Sequence, residues 1–191
     1  MISTYAERIT RKLCKENLIS ATDQDLYAYG FFLLISKILF FVISILWGLI
    51  WNVLWESIVF YIAFSVLRQY AGGYHASKEG ICMTATTILL FTCILAIRIA
   101  ENFSSTTIGI LVLFISCLLI GFLSPIDTIS KPLNKSEKQH YKCISCYLML
   151  LFIATASIAV ILQWHCLVHV LSICTLAESI LLIIGHIKYV T

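Results

Sequence analysis

The chain has 191 residues, of which 60% are hydrophobic and 12% charged, and its mean hydropathy is +0.96. A soluble domain of this size could not bury so much apolar surface, so the composition predicts an integral membrane protein with little room for a soluble domain. The formal net charge of +3 is small and does not point to a nucleic-acid partner.

The first 28 residues form the first predicted element. Apolar side chains recur there every three or four residues, with basic side chains on the other face. This spacing predicts an amphipathic helix on the membrane surface, with a solvated cytosolic helix as the alternative. The apolar face consists of Ile2, Tyr5, Ala6, Ile9 and Leu13, and the basic face of Arg8, Arg11, Lys12 and Lys15. We expect no cleavable signal peptide, because acids and bases alternate before the first apolar run.

Six apolar runs follow, each about as long as one helical crossing of a bilayer. They are residues 29–50, 52–67, 81–99, 106–123, 144–164 and 167–187. The first two together are too long for one span, and the tryptophans and Asn52 between them predict a helical hairpin that turns at an aromatic belt. The predicted fold is all-α, a polytopic six-transmembrane-helix bundle that forms one membrane domain over residues 1–191.

The basic residues indicate how this bundle is oriented. Of the thirteen Lys and Arg residues, all but Lys37 and Arg98 lie in the N-terminal segment, in the loops 68–80 and 124–143, or in the C-terminal tail. By the positive-inside rule, both termini and both loops are predicted to be cytoplasmic. We therefore expect a multi-pass protein of the cell membrane with an even number of crossings.

Residues 68–82 form a polar segment in this apolar chain, with the sequence RQYAGGYHASKEGIC. His75 and Cys82 lie seven residues apart, which corresponds to a rise of about 10 Å in a continuous helix, so their side chains can meet only through a break. Three glycines, Gly72, Gly73 and Gly80, offer the freedom for a tight turn or a re-entrant bend. An imidazole close to a thiol can take its proton and produce a nucleophilic thiolate. A packing cysteine and an interfacial histidine are the alternative.

The string RQYAGGYHA from Arg68 to Ala76, with a cysteine seven residues after the histidine, resembles the accessory gene regulator B (AgrB) family. These are bacterial membrane endopeptidases that process quorum-sensing peptide precursors. The resemblance extends to the chain length, the six crossings, the N-terminal segment, and a second loop with Pro125 and the basic-proline element at residues 131–133. It implies a thiol protease that acts on the cytoplasmic side, with His75 and Cys82 as the catalytic pair and without a cofactor.

The resemblance also implies partners. One is a short peptide precursor, an AgrD-like propeptide, which in many members of the family becomes a thiolactone or lactone ring. Such precursors typically carry an acidic C-terminal portion, which Arg68 and Lys131 would bind, although the positive-inside rule alone would also place lysines in that loop. The lipid bilayer is a second partner, and family members are thought to form homodimers.

A third catalytic residue is not fixed by the sequence. Asp127 could orient the imidazole if the second loop folds over the first, as in catalytic triads generally. Gln69, Ser77 and Glu79 are alternatives. Backbone N–H groups near the glycines could form an oxyanion hole.

Other classes of site and function have weaker support in the sequence. Cys143 and Cys146 have the spacing of half a zinc site, but no second pair accompanies them, so we predict no metal. A small transporter or exporter, with residues 68–82 as a re-entrant binding loop, is an alternative function, and a noncatalytic membrane scaffold is another. A transporter would more commonly place ionisable groups at mid-span, where only Lys37 and Glu178 come near.

Overall fold

The computed structural model describes residues 2–73, 79–102, 106–126 and 134–189. Within these ranges the chain is helical apart from short turns, which confirms the predicted all-α class. The helices are α1 (Ile2–Lys15), α2 (Gln24–Ile50), α3 (Leu54–Ala71), α4 (Glu79–Ala100), α5 (Thr107–Leu123), α6 (Lys135–Ile161) and α7 (His165–Tyr189), with a short 3₁₀ turn at Ala21–Asp23.

Four helical segments among the described residues are long and apolar enough to cross a membrane. They are Ala21–Ile50, Glu79–Ala100, Lys135–Ile161 and His165–Lys188. The apolar helix α5 has only 17 residues, and α3 carries Glu56 and Arg68 near its two ends. The protein is therefore a helical membrane protein with four candidate spans, and the count of six crossings stays a prediction.

Several helices extend beyond the predicted apolar runs. Helix α2 begins at Gln24 rather than at residue 29, α3 continues to Ala71 rather than to 67, and α6 begins at Lys135 rather than at 144. At the start of α6, the Asn134 backbone N–H donates to the Glu137 carboxylate over 2.9 Å within a capping box. Such capping stabilises a polar first turn, so the helix begins before the apolar run does.

The described chain falls into two compact units, which divide within α2 after Ile43. The first contains α1, which ends before Asn17, a residue with a φ of 55°. Helix α1 buries Ile2, Ala6 and Thr10, while Tyr5 and Ile9 of its predicted apolar face stay exposed. Its position on the membrane surface stays a prediction.

The second unit, residues 44–189, is organised around α7. This helix packs against α3, α4, α5 and α6. The predicted hairpin between α2 and α3 is present, since α2 ends at Ile50 and Asn52 adopts a φ of 57°. The two helices approach closely at Gly48, where an added Cβ would overlap the Ser57 side chain. Residues buried in the core of this unit include Phe60, Leu67, Leu90, Ile94, Ile120, Val168 and Leu182.

Candidate active site

The polar segment begins in the last turn of α3. The Gly72 N–H donates to the Arg68 carbonyl over 3.2 Å, and this bond closes the helix. Gly72 and Gly73 then take φ values of 83° and 119°, a region that glycine reaches without the steric cost paid by other residues. The chain thus leaves α3 through a turn of two glycines, and the next described residue, Glu79, begins α4.

The segment after α5 lies against this glycine turn. The Ile126 N–H donates to the Ala71 carbonyl over 3.2 Å, and a Cβ added to Gly72 would lie 2.8 Å from the Ile126 carbonyl oxygen. Ser124 also donates from its Oγ to the Ser145 Oγ over 3.2 Å, which links this segment to α6. The beginnings of the two loops predicted to be cytoplasmic therefore meet at one end of the second unit.

An ion pair joins the end of α3 to α7 below this turn. Arg68 Nη1 lies 3.6 Å from Glu178 Oε2, and the two side chains are 24% and 0% exposed. The arginine also lies over the Phe64 ring, 5.9 Å from its centroid. Arg68 was predicted to bind the precursor, but its guanidinium is directed to a carboxylate of this chain.

Cys82 lies in the first turn of α4 and is half buried. Its carbonyl accepts a hydrogen bond from Thr86 Oγ1 over 2.8 Å. Gly80, predicted as a loop glycine, instead belongs to α4, and a Cβ there would meet nothing within 4 Å. Helix α4 begins directly before Gly80, at Glu79, so this glycine lies in the first turn of a helix. Of the three glycines, Gly72 and Gly73 are the two that turn the chain.

Apolar surface adjoins the turn that holds Cys82. A groove lined by Gly80, Ile81, Thr84, Ala85 and Ile88 runs along α4. A second groove shares Ala85 and Ile88 and continues toward α7. Cys82 thus lies where the polar segment ends and the apolar part of α4 begins.

Several predicted site residues lie outside the described residues. They are His75 and Ser77 within 74–78, and Asp127 and Lys131 within 127–133. The structure does bring together residues that precede these two segments, since Ile126 contacts Ala71 and Gly72. Sequence reasoning did not assign Glu178 to this region, although a lone acid in the apolar run of α7 was the available signal.

The opposite end of the second unit holds a different polar cluster. Glu56, Glu101 and Cys166 each offer one ligand atom, and these atoms lie within 4.8 Å of one another. Arg98 Nη1 lies 3.1 Å from Glu101 Oε2, so part of this negative charge is already compensated. Clusters of this kind are common without a metal, and the predicted absence of a metal stays a prediction.

Together, the fold and this region define a helical membrane protein with a polar, glycine-broken turn where α3, α6, α7 and the segment after α5 converge. The family model of accessory gene regulator B matches residues 6–184. The chain therefore belongs to the AgrB family.

Individual relatives agree with this assignment. The chain is 24% identical over 173 residues to AgrB-like protein 2 of Clostridium perfringens strain 13. The matched residues cover 86% of this chain and 80% of that protein. The chain is 23% identical over 172 residues to an AgrB-like protein of Clostridium perfringens strain SM101, with the same coverage. No solved structure matches the chain. Family membership supports involvement in the processing of a quorum-sensing peptide precursor.

Proposed function

We propose that this protein is a membrane cysteine endopeptidase that cleaves a short peptide precursor, with Cys82 as the nucleophile and His75 as its base. The observation that carries the proposal is the break in the polar segment. Helix α3 ends at Ala71, two glycines turn the chain, and Cys82 lies in the first turn of the next helix. This break supports the pairing, because a continuous helix would keep the imidazole and the thiol about 10 Å apart.

The first half of the reaction forms an acyl-enzyme. His75 takes the proton of the Cys82 thiol, and the thiolate attacks a peptide carbonyl of the precursor. The peptide C–N bond breaks, the imidazolium returns its proton to the departing nitrogen, and the C-terminal portion leaves as an amine. The N-terminal portion remains joined to Cys82 as a thioester.

The second half transfers the acyl group within the precursor. A precursor cysteine attacks the thioester, forms a thiolactone ring and releases Cys82, while its own proton returns to the active-site pair. This exchange replaces one thioester by another and needs little driving force, whereas hydrolysis would be irreversible. The apolar side chains of Ile81, Ala85 and Ile88, which lie near Cys82 along α4, would limit the access of water that the transfer must avoid.

The second loop would complete the site. The hydrogen bond from Ile126 to Ala71 supports a role for Asp127, because Asp127 follows directly in the chain and could orient the imidazole. Lys131, together with the part of Arg68 that remains exposed, would attract an acidic portion of the precursor. We propose the cytoplasmic side as the location, since both loops carry basic residues.

The transporter hypothesis has one observation in its favour, the carboxylate of Glu178 buried in a candidate span. Buried ionisable groups in spans often mark an ion or substrate path. Glu178 is however paired with Arg68 at the end of α3, next to the glycine turn. The pair therefore belongs to the same region as the proposed catalytic segment. For this reason we prefer the protease to the transporter as the proposed function.

A test of the proposed function replaces Cys82 and measures cleavage of a short AgrD-like precursor peptide, which is sought in the reading frames beside the gene. Cys82→Ala should lower cleavage by at least about 10³-fold, because it removes the thiol that is proposed to form the thioester. Cys146→Ala is the matched control, since Cys146 is an exposed cysteine of α6 outside the proposed site. Both variants should insert into membranes in parental amounts.

Retained cleavage by Cys82→Ala would refute the cysteine protease. Export of a peptide that another protease has cleaved would instead favour the transporter. A variant that supports peptide production without cleaving or carrying the peptide would favour the scaffold.

A further inference from the structure

We infer that Glu178 is a positioning residue of the catalytic segment and acts through Arg68. This inference rests on the proposed function and deepens it, because it assigns a role to a residue of α7 that lies far from the motif in sequence. Its basis is the packing of the glycine turn against α7.

Glu178 has no solvent exposure and lies within the candidate span His165–Lys188. A buried carboxylate is costly unless a cation compensates it. Arg68 is that cation, and its guanidinium lies 3.6 Å from the Glu178 carboxylate and 5.9 Å from the Phe64 ring centroid. The position of Arg68 is therefore determined by α7 as well as by its own helix.

Arg68 in turn lies directly below the glycine turn. Its carbonyl accepts the Gly72 N–H over 3.2 Å. A Cβ added to Gly73 would lie 3.3 Å from Arg68 Nη1 and 3.5 Å from the Leu181 carbonyl group. Gly73 thus packs against both the guanidinium and the backbone of α7, one turn after Glu178.

These contacts determine how the chain leaves α3. Helix α7 contacts the turn through Leu181 and holds Arg68 through Glu178, while Ile126 confines the turn from another direction. His75 is the second residue after Gly73. A change in the position of Arg68 would therefore shift the start of the segment that carries the proposed base, and catalytic rates are sensitive to such shifts.

The test is Glu178→Gln, which removes the charge and keeps the side-chain shape. Cleavage kinetics are measured for the full chain in nanodiscs and normalised to folded protein. We expect kcat to fall at least about tenfold, while KM stays within about twofold, because the buried Glu178 does not reach the precursor and Arg68 keeps its charge.

Glu101→Gln is the matched control, since it makes the same substitution in the Arg98–Glu101 pair at the opposite end. Both of its kinetic constants should remain within about twofold of the parent.

Three results would overturn the inference. The first is a kcat for Glu178→Gln within about twofold of the parent. The second is a loss that disappears after normalisation to folded protein, which would indicate a structural role alone. The third is a rise in KM at constant kcat, which would assign the pair to precursor binding.

If Glu178→Gln does not fold, Glu178→Asp decides the matter, because it keeps the charge and shortens the side chain by one methylene. We expect a partial loss of kcat, and a parental kcat would overturn the inference. Cys82→Ala in the same assay separates the two proposals. If Cys82→Ala still cleaves, the protease itself is refuted, whereas if only Glu178→Gln behaves as the parent, the positioning role alone is refuted.

Discussion

The two ends of the second unit each contain an arginine–glutamate ion pair, and the pairs differ in burial and in sequence separation. Arg98 and Glu101 lie three residues apart, with 3.1 Å between Nη1 and Oε2 and side chains that are 44% and 16% exposed. Arg68 and Glu178 belong to different helices, with 3.6 Å between Nη1 and Oε2 and side chains that are 24% and 0% exposed. The shorter distance belongs to the more exposed and more local pair.

The contribution of an ion pair to stability therefore depends on burial as well as on the distance between its atoms. Exposed pairs contribute about 0–1 kcal/mol to stability, whereas breaking a buried pair costs about 3–5 kcal/mol, because the remaining charge loses its compensation. At the end with Arg98 the ion pair itself is local, although Glu56, Glu101 and Cys166 also meet there from three parts of the chain. The end with Arg68 depends on contacts between elements far apart in sequence, which is where a composite catalytic site can form.

Among the changes that would test this difference between the two ends, we expect the largest effect from replacing the proposed base, His75. His75→Ala should reduce cleavage by about 10²–10⁴-fold, the range typical of general acid–base catalysis. It should also slow alkylation of Cys82 near neutral pH, because the thiol loses the group that accepts its proton. Single-cysteine variants that retain Cys82 or Cys166 allow mass spectrometry to follow each thiol.

Cys166 serves as the internal control, since it lies at the opposite end. Its alkylation rate should not change in His75→Ala. Equal alkylation of Cys82 with and without His75 would contradict a coupled pair.

A smaller effect is expected from two glycines of the polar segment. Gly72→Ala should destabilise the protein by roughly 1–3 kcal/mol, because alanine is strained at a φ of 83° and its Cβ would contact the Ile126 carbonyl oxygen. Gly80→Ala should not destabilise it, because Gly80 is helical with open space around it, and alanine has the higher helix propensity.

Thermal unfolding in detergent measures both variants. Similar melting temperatures for Gly72→Ala and Gly80→Ala would remove the distinction between the turn glycines and the helical glycine.

The smallest effect on activity is expected from a labelling experiment, which tests whether the two ends of the second unit face different sides of the membrane. Single-cysteine variants that retain only Cys143 or only Cys166 are treated in intact cells with a membrane-impermeant thiol reagent. Both thiols are exposed in the structure. By the positive-inside rule, Cys166 should react directly and Cys143 only after permeabilisation. Reaction of both thiols in intact cells would contradict the proposed orientation.

The sequence predicted the helical class, the hairpin around Asn52 and the break at Gly72 and Gly73, because each depends on local patterns. It placed the boundaries of α2, α3 and α6 several residues away from where they lie, since apolar runs do not include capped polar turns. It also assigned Gly80 to a loop, because composition does not distinguish a turn glycine from one in the first turn of a helix.

By itself, the sequence determined that this chain forms apolar helices and that one polar segment interrupts them, because periodicity, glycine content and charge act over a few residues. Only the tertiary structure decided which distant groups meet that segment. Ile126 reaches Ala71, and Glu178 reaches Arg68, because α7 packs in the centre of its unit against α3 and α5. The buried carboxylate of Glu178 in α7 is stabilised by a cation, and the packing of α7 against α3 places Arg68 next to it.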